Sequence, residues 1–89
     1  MKAIVTVIGV DKVGIIAKVT DVLAKNNVNI LDISQTIMGD IFTMIMAVDV
    51  GKSESKIAQL SDNFKVLGEK VGIQISITHE DIYRSMHRI

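Results

Sequence analysis

The residues best suited to chemistry lie in two short stretches, Asp11-Lys12-Val13-Gly14-Ile15 and Asn29-Ile30. The first follows a β-branched run that ends at Val10, and at Gly14 it opens onto a segment with helical spacing. The amides that begin a helix have no partner inside it, and the helix dipole makes that end positive. A loop that delivers the chain to such a terminus suits a carboxylate or another small anion. The second stretch follows Asn26-Asn27, where the helical pattern stops, and starts a new apolar strand.

The remaining reactive side chains offer less. His79 and His87 stand eight residues apart with no third ligand at recognisable spacing, and the chain has no cysteine. A metal site needs more donors than that. Arg84, His87 and Arg88 near the C-terminus could meet an anion, but Glu80 and Asp81 offset them. General acid–base catalysis needs a paired, shielded set of titratable groups. Asp11 and Asp32 are the acids nearest the loops, and no histidine lies near either in sequence. Neither catalysis, a metal nor a cofactor is expected.

Composition narrows the classes further. Ten basic side chains balance ten acidic ones, so the net charge is zero. A nucleic-acid binder usually shows a basic excess and, on a sheet face, exposed aromatics; here the aromatics are only Phe42, Phe64 and Tyr83. Thr6 and Gly9 interrupt the first apolar run, Asp11-Lys12 follow at once, and no segment approaches bilayer length. The expectation is one soluble, cytoplasmic domain over 1–89, without nucleic-acid or membrane partners. A chain this short buries only about two-thirds of its unfolded surface. With no disulfides available and 48% of residues apolar, oligomerisation is the natural supplement.

The hydrophobic period must then place the two stretches. Lys2 to Val10 is apolar on both faces and predicts a central strand. Ile15, Ile16, Val19, Val22 and Leu23 form a helical stripe between Gly14 and Asn26. From Asn29 to Met38, Leu31, Ile33 and Ile37 alternate with Asp32, Ser34 and Thr36. Gly39-Asp40 predicts a tight hairpin turn into a third strand, Ile41 to Val50. There Phe42, Met44, Met46 and Val48 point one way, and Ile41, Thr43, Ile45 and Ala47 point the other. Ser53 is a suitable N-cap for the clearest helix of the chain, marked by Ile57, Leu60, Phe64, Leu67 and Val71. Gly72 fits its C-terminal cap, and Ile73, Ile75 and Ile77 alternate along a fourth strand. His79 to Ile89 carries Ile82, Met86 and Ile89 at helical spacing.

Two strand-helix-strand halves joined by a hairpin define an α+β, ferredoxin-like βαββαβ sandwich. Its sheet is four-stranded and antiparallel, with both helices on one face, the first and third strands central and a short C-terminal helix. Val5, Val7, Val19, Leu23, Leu31, Met44, Met46, Leu60, Phe64 and Ile75 are its expected core residues.

The run Val10-Asp11-Lys12-Val13-Gly14-Ile15-Ile16, followed by Val19, Leu23 and then Asn29-Ile30, resembles the ACT domain, a small regulatory module that commonly binds amino acids. The resemblance covers nearly the whole chain. It is closest to stand-alone prokaryotic ACT proteins, and it extends to the ACT regions of the glycine-cleavage repressor and of formyltetrahydrofolate deformylase. The chain departs from the pattern at Val13, where proline is common, which leaves the loop less rigid.

The resemblance implies a homodimer or higher homo-oligomer with a ligand site at the subunit boundary. The first loop of one chain and the start of the second strand of another would enclose a small polar metabolite, an amino acid first. Asp11, Lys12, Val13, Gly14, Ile15, Asn29 and Ile30 are its candidate residues. Asp11 would pair with a ligand ammonium, the amides of Val13 to Ile15 with its carboxylate, and Asn29 with the zwitterion from across the boundary. Each has a plainer alternative: Gly14 as a tight turn, Asp11 as a helix cap, Asn29 as a turn residue, Lys12 as a solvated lysine. Such a module would report occupancy to another regulatory protein or enzyme. Two other roles fit the topology, namely a dimerisation module without ligand and an acylphosphatase-like enzyme. The latter wants an arginine in the first loop, where this chain offers only Lys12.

Overall fold

Seven elements follow one another in the computed structural model, which describes residues 1–10, 14–51 and 55–86. They are β1 (Lys2–Gly9), α1 (Ile15–Lys25), β2 (Asn29–Met38), β3 (Ile41–Asp49), α2 (Ser55–Val71), β4 (Gln74–His79) and α3 (Glu80–Met86). The strands form one antiparallel sheet in the order β2-β3-β1-β4. The two strands that are apolar on both faces therefore lie at the centre, as their composition predicts.

Register fixes which side chains share a face. Val5 sits between Met46 and Ile77, and Val7 between Met44 and Ile75. This row packs against Val19 and Leu23 of α1 and Leu60 and Phe64 of α2 in a single buried cluster. Both helices thus cover the same side of the sheet. Each large apolar side chain buried there contributes about 1.5–3 kcal/mol. Ala3, Ile15, Val28, Phe42, Val48 and Val50 complete the cluster.

Two expected core residues stand elsewhere. Leu31 is 46% exposed. The β2–β3 register shifts between Ile30 and Asp32, so Leu31 is an extra residue bulged out of the ladder. Every other β2 residue except Ile30 is exposed as well, because the helices do not reach this edge. Ile75 is only partly buried, since β4 is the opposite edge and packs against the rim of the cluster.

Local chemistry sets the element ends. Asn27 adopts the left-handed conformation (φ 57°) just after α1. The Val28 amide donates to the Leu23 carbonyl (2.9 Å) and the Asn27 amide to that of Ala24 (3.1 Å). This pair of bonds is a Schellman termination, and buried Val28 and Leu23 provide its usual apolar contact. Gly39 (φ 62°) opens the two-residue turn between paired Met38 and Ile41, the position where a type II′ hairpin wants glycine. His79 closes β4 instead of starting the last helix. Its Nδ1 accepts the Asp81 amide at 3.2 Å across the start of α3. The expected cap Ser53, and Ile89 of the terminal stripe, lie outside the described residues.

Candidate functional site

Gly14 is the N-cap of α1 and holds φ at 78°. Among the described residues a Cβ there would meet nothing within 4 Å, so glycine serves the backbone conformation. The first bond of the helix ladder runs from the Lys18 amide to the Gly14 carbonyl (3.0 Å), which leaves the amides of Ile15, Ile16 and Ala17 ahead of the ladder. Among the described residues this terminus has no side-chain cap, and its first turn carries no acid. The Ile15 side chain is 5% exposed and part of the core.

Beside this terminus lies a cleft of ≈ 470 Å³, lined by Val10, Ile15, Lys18, Lys70, Val71, Gly72 and Ile73. Its far wall is the C-terminal end of α2, where Gly72 (φ 74°) ends the helix and the Gly68 carbonyl accepts the amides of both Gly72 and Ile73. Lys70, Gly72 and Ile73 are not legible in the sequence as neighbours of Ile15. Only the crossover that sets α2 beside α1 brings them together. Lys18 had a local signal, lying one turn beyond Gly14.

Asn29 and Ile30 lie at the other end of the molecule. Asn29 pairs with Asp49 and Ile30 with Val48, whereas Gly9, just before the first loop, pairs with Phe42. The 11 residues of α1 separate the two stretches by about 16 Å. One chain therefore does not unite Gly14 and Ile15 with Asn29 and Ile30. Asp11, Lys12 and Val13 lie outside the described residues. Next to Asn29, Asp49 accepts the Gly51 amide (2.9 Å) and pairs with the Met1 α-ammonium (3.3 Å). The Gly51 bond first, and the Met1 ammonium second, hold this carboxyl below its ordinary value.

The alternative groups are engaged in local roles. Arg84 pairs with Glu80 one turn back at 3.6 Å, while His87 and Arg88 lie outside the described residues. Among the described residues no three acidic, histidine or cysteine side chains gather where a metal could bind, and no helix is long and apolar enough to cross a membrane.

An antiparallel sheet backed by two helices, with a glycine opening the first helix, defines a small α+β, ferredoxin-like module. The family model of the ACT domain matches residues 2–78, and the chain belongs to that family. It is 54% identical to a UPF0237 protein of Clostridium perfringens over the full length of both. An ACT domain protein from Streptococcus pneumoniae has the same structure at 37% identity, with a TM-score of 0.82 over 93% of each chain. At 23% identity the fold recurs in a putative glycine cleavage system transcriptional repressor (TM-score 0.74; 86% of this chain, 44% of that one). It recurs at 23% identity in a formyltetrahydrofolate deformylase from Pseudomonas syringae (TM-score 0.76; 88% of this chain, 27% of that one).

Proposed function

We propose that this ACT chain is a cytoplasmic regulatory module that works as a homodimer and binds a small polar metabolite, an amino acid first, without catalysis of its own. The observation that carries the reading is the α1 terminus at Gly14, which among the described residues has no side-chain cap, in a molecule whose β2 edge is bare. A two-fold axis between antiparallel β2 edges would set the Gly14 end of one protomer beside the Asn29 end of its mate. The ligand carboxylate would then rest on the amides after Gly14, with Asn29 and Ile30 of the partner closing the site. Pairing would also protect an edge that otherwise invites unwanted strands. Occupancy would stiffen the boundary between protomers, and a regulatory protein or enzyme bound to the dimer would sense it.

The test is native mass spectrometry and amide NMR of the whole chain with the amino acids added singly. The expected outcome is a dimer, a rise in melting temperature with at least one amino acid, and a shift of the Gly14 amide. A chain that stays monomeric at high concentration, or one that no amino acid shifts, overturns the reading. A second reading, a dimerisation module without ligand, draws on the apolar exposure of Ile33 and Ile37 along β2. It predicts the dimer without the shift at Gly14.

A further inference from the structure

The sheet face turned away from α1 and α2 exposes apolar side chains of β1, β2 and β3 among the described residues. On it, Ile8 is 40% exposed, Ile45 36%, Ile41 45% and Met38 69%. Register shows that they form one patch: Met38 pairs with Ile41, Ile45 lies opposite Thr6, and Ile8 lies opposite Thr43. We propose that this face is where a second copy of the chain packs, sheet on sheet, so that two edge-paired dimers form a tetramer. The edge-paired dimer belongs to the reading above, and the face packing rests on different residues.

Size favours a protein occupant. Four strands about 4.8 Å apart and eight residues at about 3.4 Å each make a face of roughly 19 by 27 Å. That projects to roughly 500 Å² before side-chain relief is added, against about 800 Å² of accessible surface per partner in a standard complex. Chemistry favours a copy of this chain over other occupants. The face carries no aromatic side chain and a single lysine, Lys2, so bases and anionic lipid lack their usual holds. The chain is neutral, so copies do not repel. Threonines lie among the isoleucines and supply the hydroxyl pairs that a half-polar interface uses.

The charges of the face are Lys2, Asp49 and Asp32, and they gather at the end where Lys2 pairs with Asp49 and Asp32 with Ala47. A two-fold axis along the strands lays β1 of one copy over β3 of the other. Lys2 then meets the Asp49 end of its mate, and Ile8 lies over Thr43, with Ile41 two residues along. Sheets in this arrangement stand about 10 Å apart with their apolar side chains interleaved.

The experiment is sedimentation equilibrium of the full chain and three variants, each checked for native circular dichroism. Wild type is expected as a tetramer. Ile45→Lys and Ile8→Glu, both on the face, each reduce it to a dimer. Ile37→Asp, on the opposite side of β2, leaves a different dimer held by the face alone. A wild-type dimer that Ile45→Lys and Ile8→Glu leave intact overturns the face packing while preserving the edge-paired reading. A wild-type dimer that those two variants split and Ile37→Asp does not establishes face packing and removes edge pairing. A monomeric wild type removes both.

Discussion

Asp49 ties three pieces of chain together. Its carboxylate accepts the Gly51 amide and meets the Met1 ammonium, while the Val50 amide donates to the Met1 carbonyl at 3.0 Å. Because these partners lower the carboxyl's pKa in the folded state, folding favours the ionised form. The stabilisation is fully present above the unfolded value and is lost as pH falls through the lower, folded one. The difference in melting temperature between wild type and Asp49→Asn should be constant at neutral pH and shrink below about pH 4. A difference that does not change with pH would show that the charge contributes nothing. At the same scale, the sequence marks Gly14 as special but cannot say why. The positive φ answers the question: glycine bends the backbone there, and among the described residues nothing crowds it.

The end of α2 and the start of β4 press on one another through Gly68. A Cβ on Gly68 would stand 2.6 Å from the Ile73 carbonyl oxygen, a backbone atom that cannot swing aside. In an open helix, glycine to alanine gains about 1 kcal/mol. Here the overpacking reverses the sign, and Gly68→Ala should lose about 1–3 kcal/mol. Ser61→Ala, on the exposed side of the same helix, should stay within about 0.5 kcal/mol of wild type. Urea melts of the two variants check this, and an unchanged midpoint for Gly68→Ala would refute the contact. The elements themselves were readable because their signals are local. The stripe from Ile57 to Val71, the asparagine stop at Asn26-Asn27 and the Gly39 turn all lie within a few residues of what they control. Leu31 was misplaced for the opposite reason. Its alternation with Ile33 looks unbroken in sequence, and only pairing with β3 reveals the shift. The cleft was likewise hidden, since Lys70 and Ile73 join Ile15 through topology rather than proximity in sequence.

The whole molecule leaves much apolar surface in water. Ile33, Ile37 and Leu31 along β2, with Ile8, Ile41 and Ile45 on the open face, are each at least 36% exposed. If association covers them, stability depends on concentration, because mass action favours the folded oligomer. The melting temperature should therefore rise steadily with protein concentration. A melting temperature independent of concentration would mean that these surfaces stay wet. The bulge at Leu31 has a bearing on how such an oligomer could assemble. A uniform ladder can slide against its twin in steps of two residues and still match hydrogen bonds. A kinked one tolerates few alignments. The single surplus residue in β2 thus works as an index mark, leaving the straight run beyond it as the length over which two edges can zip in one setting.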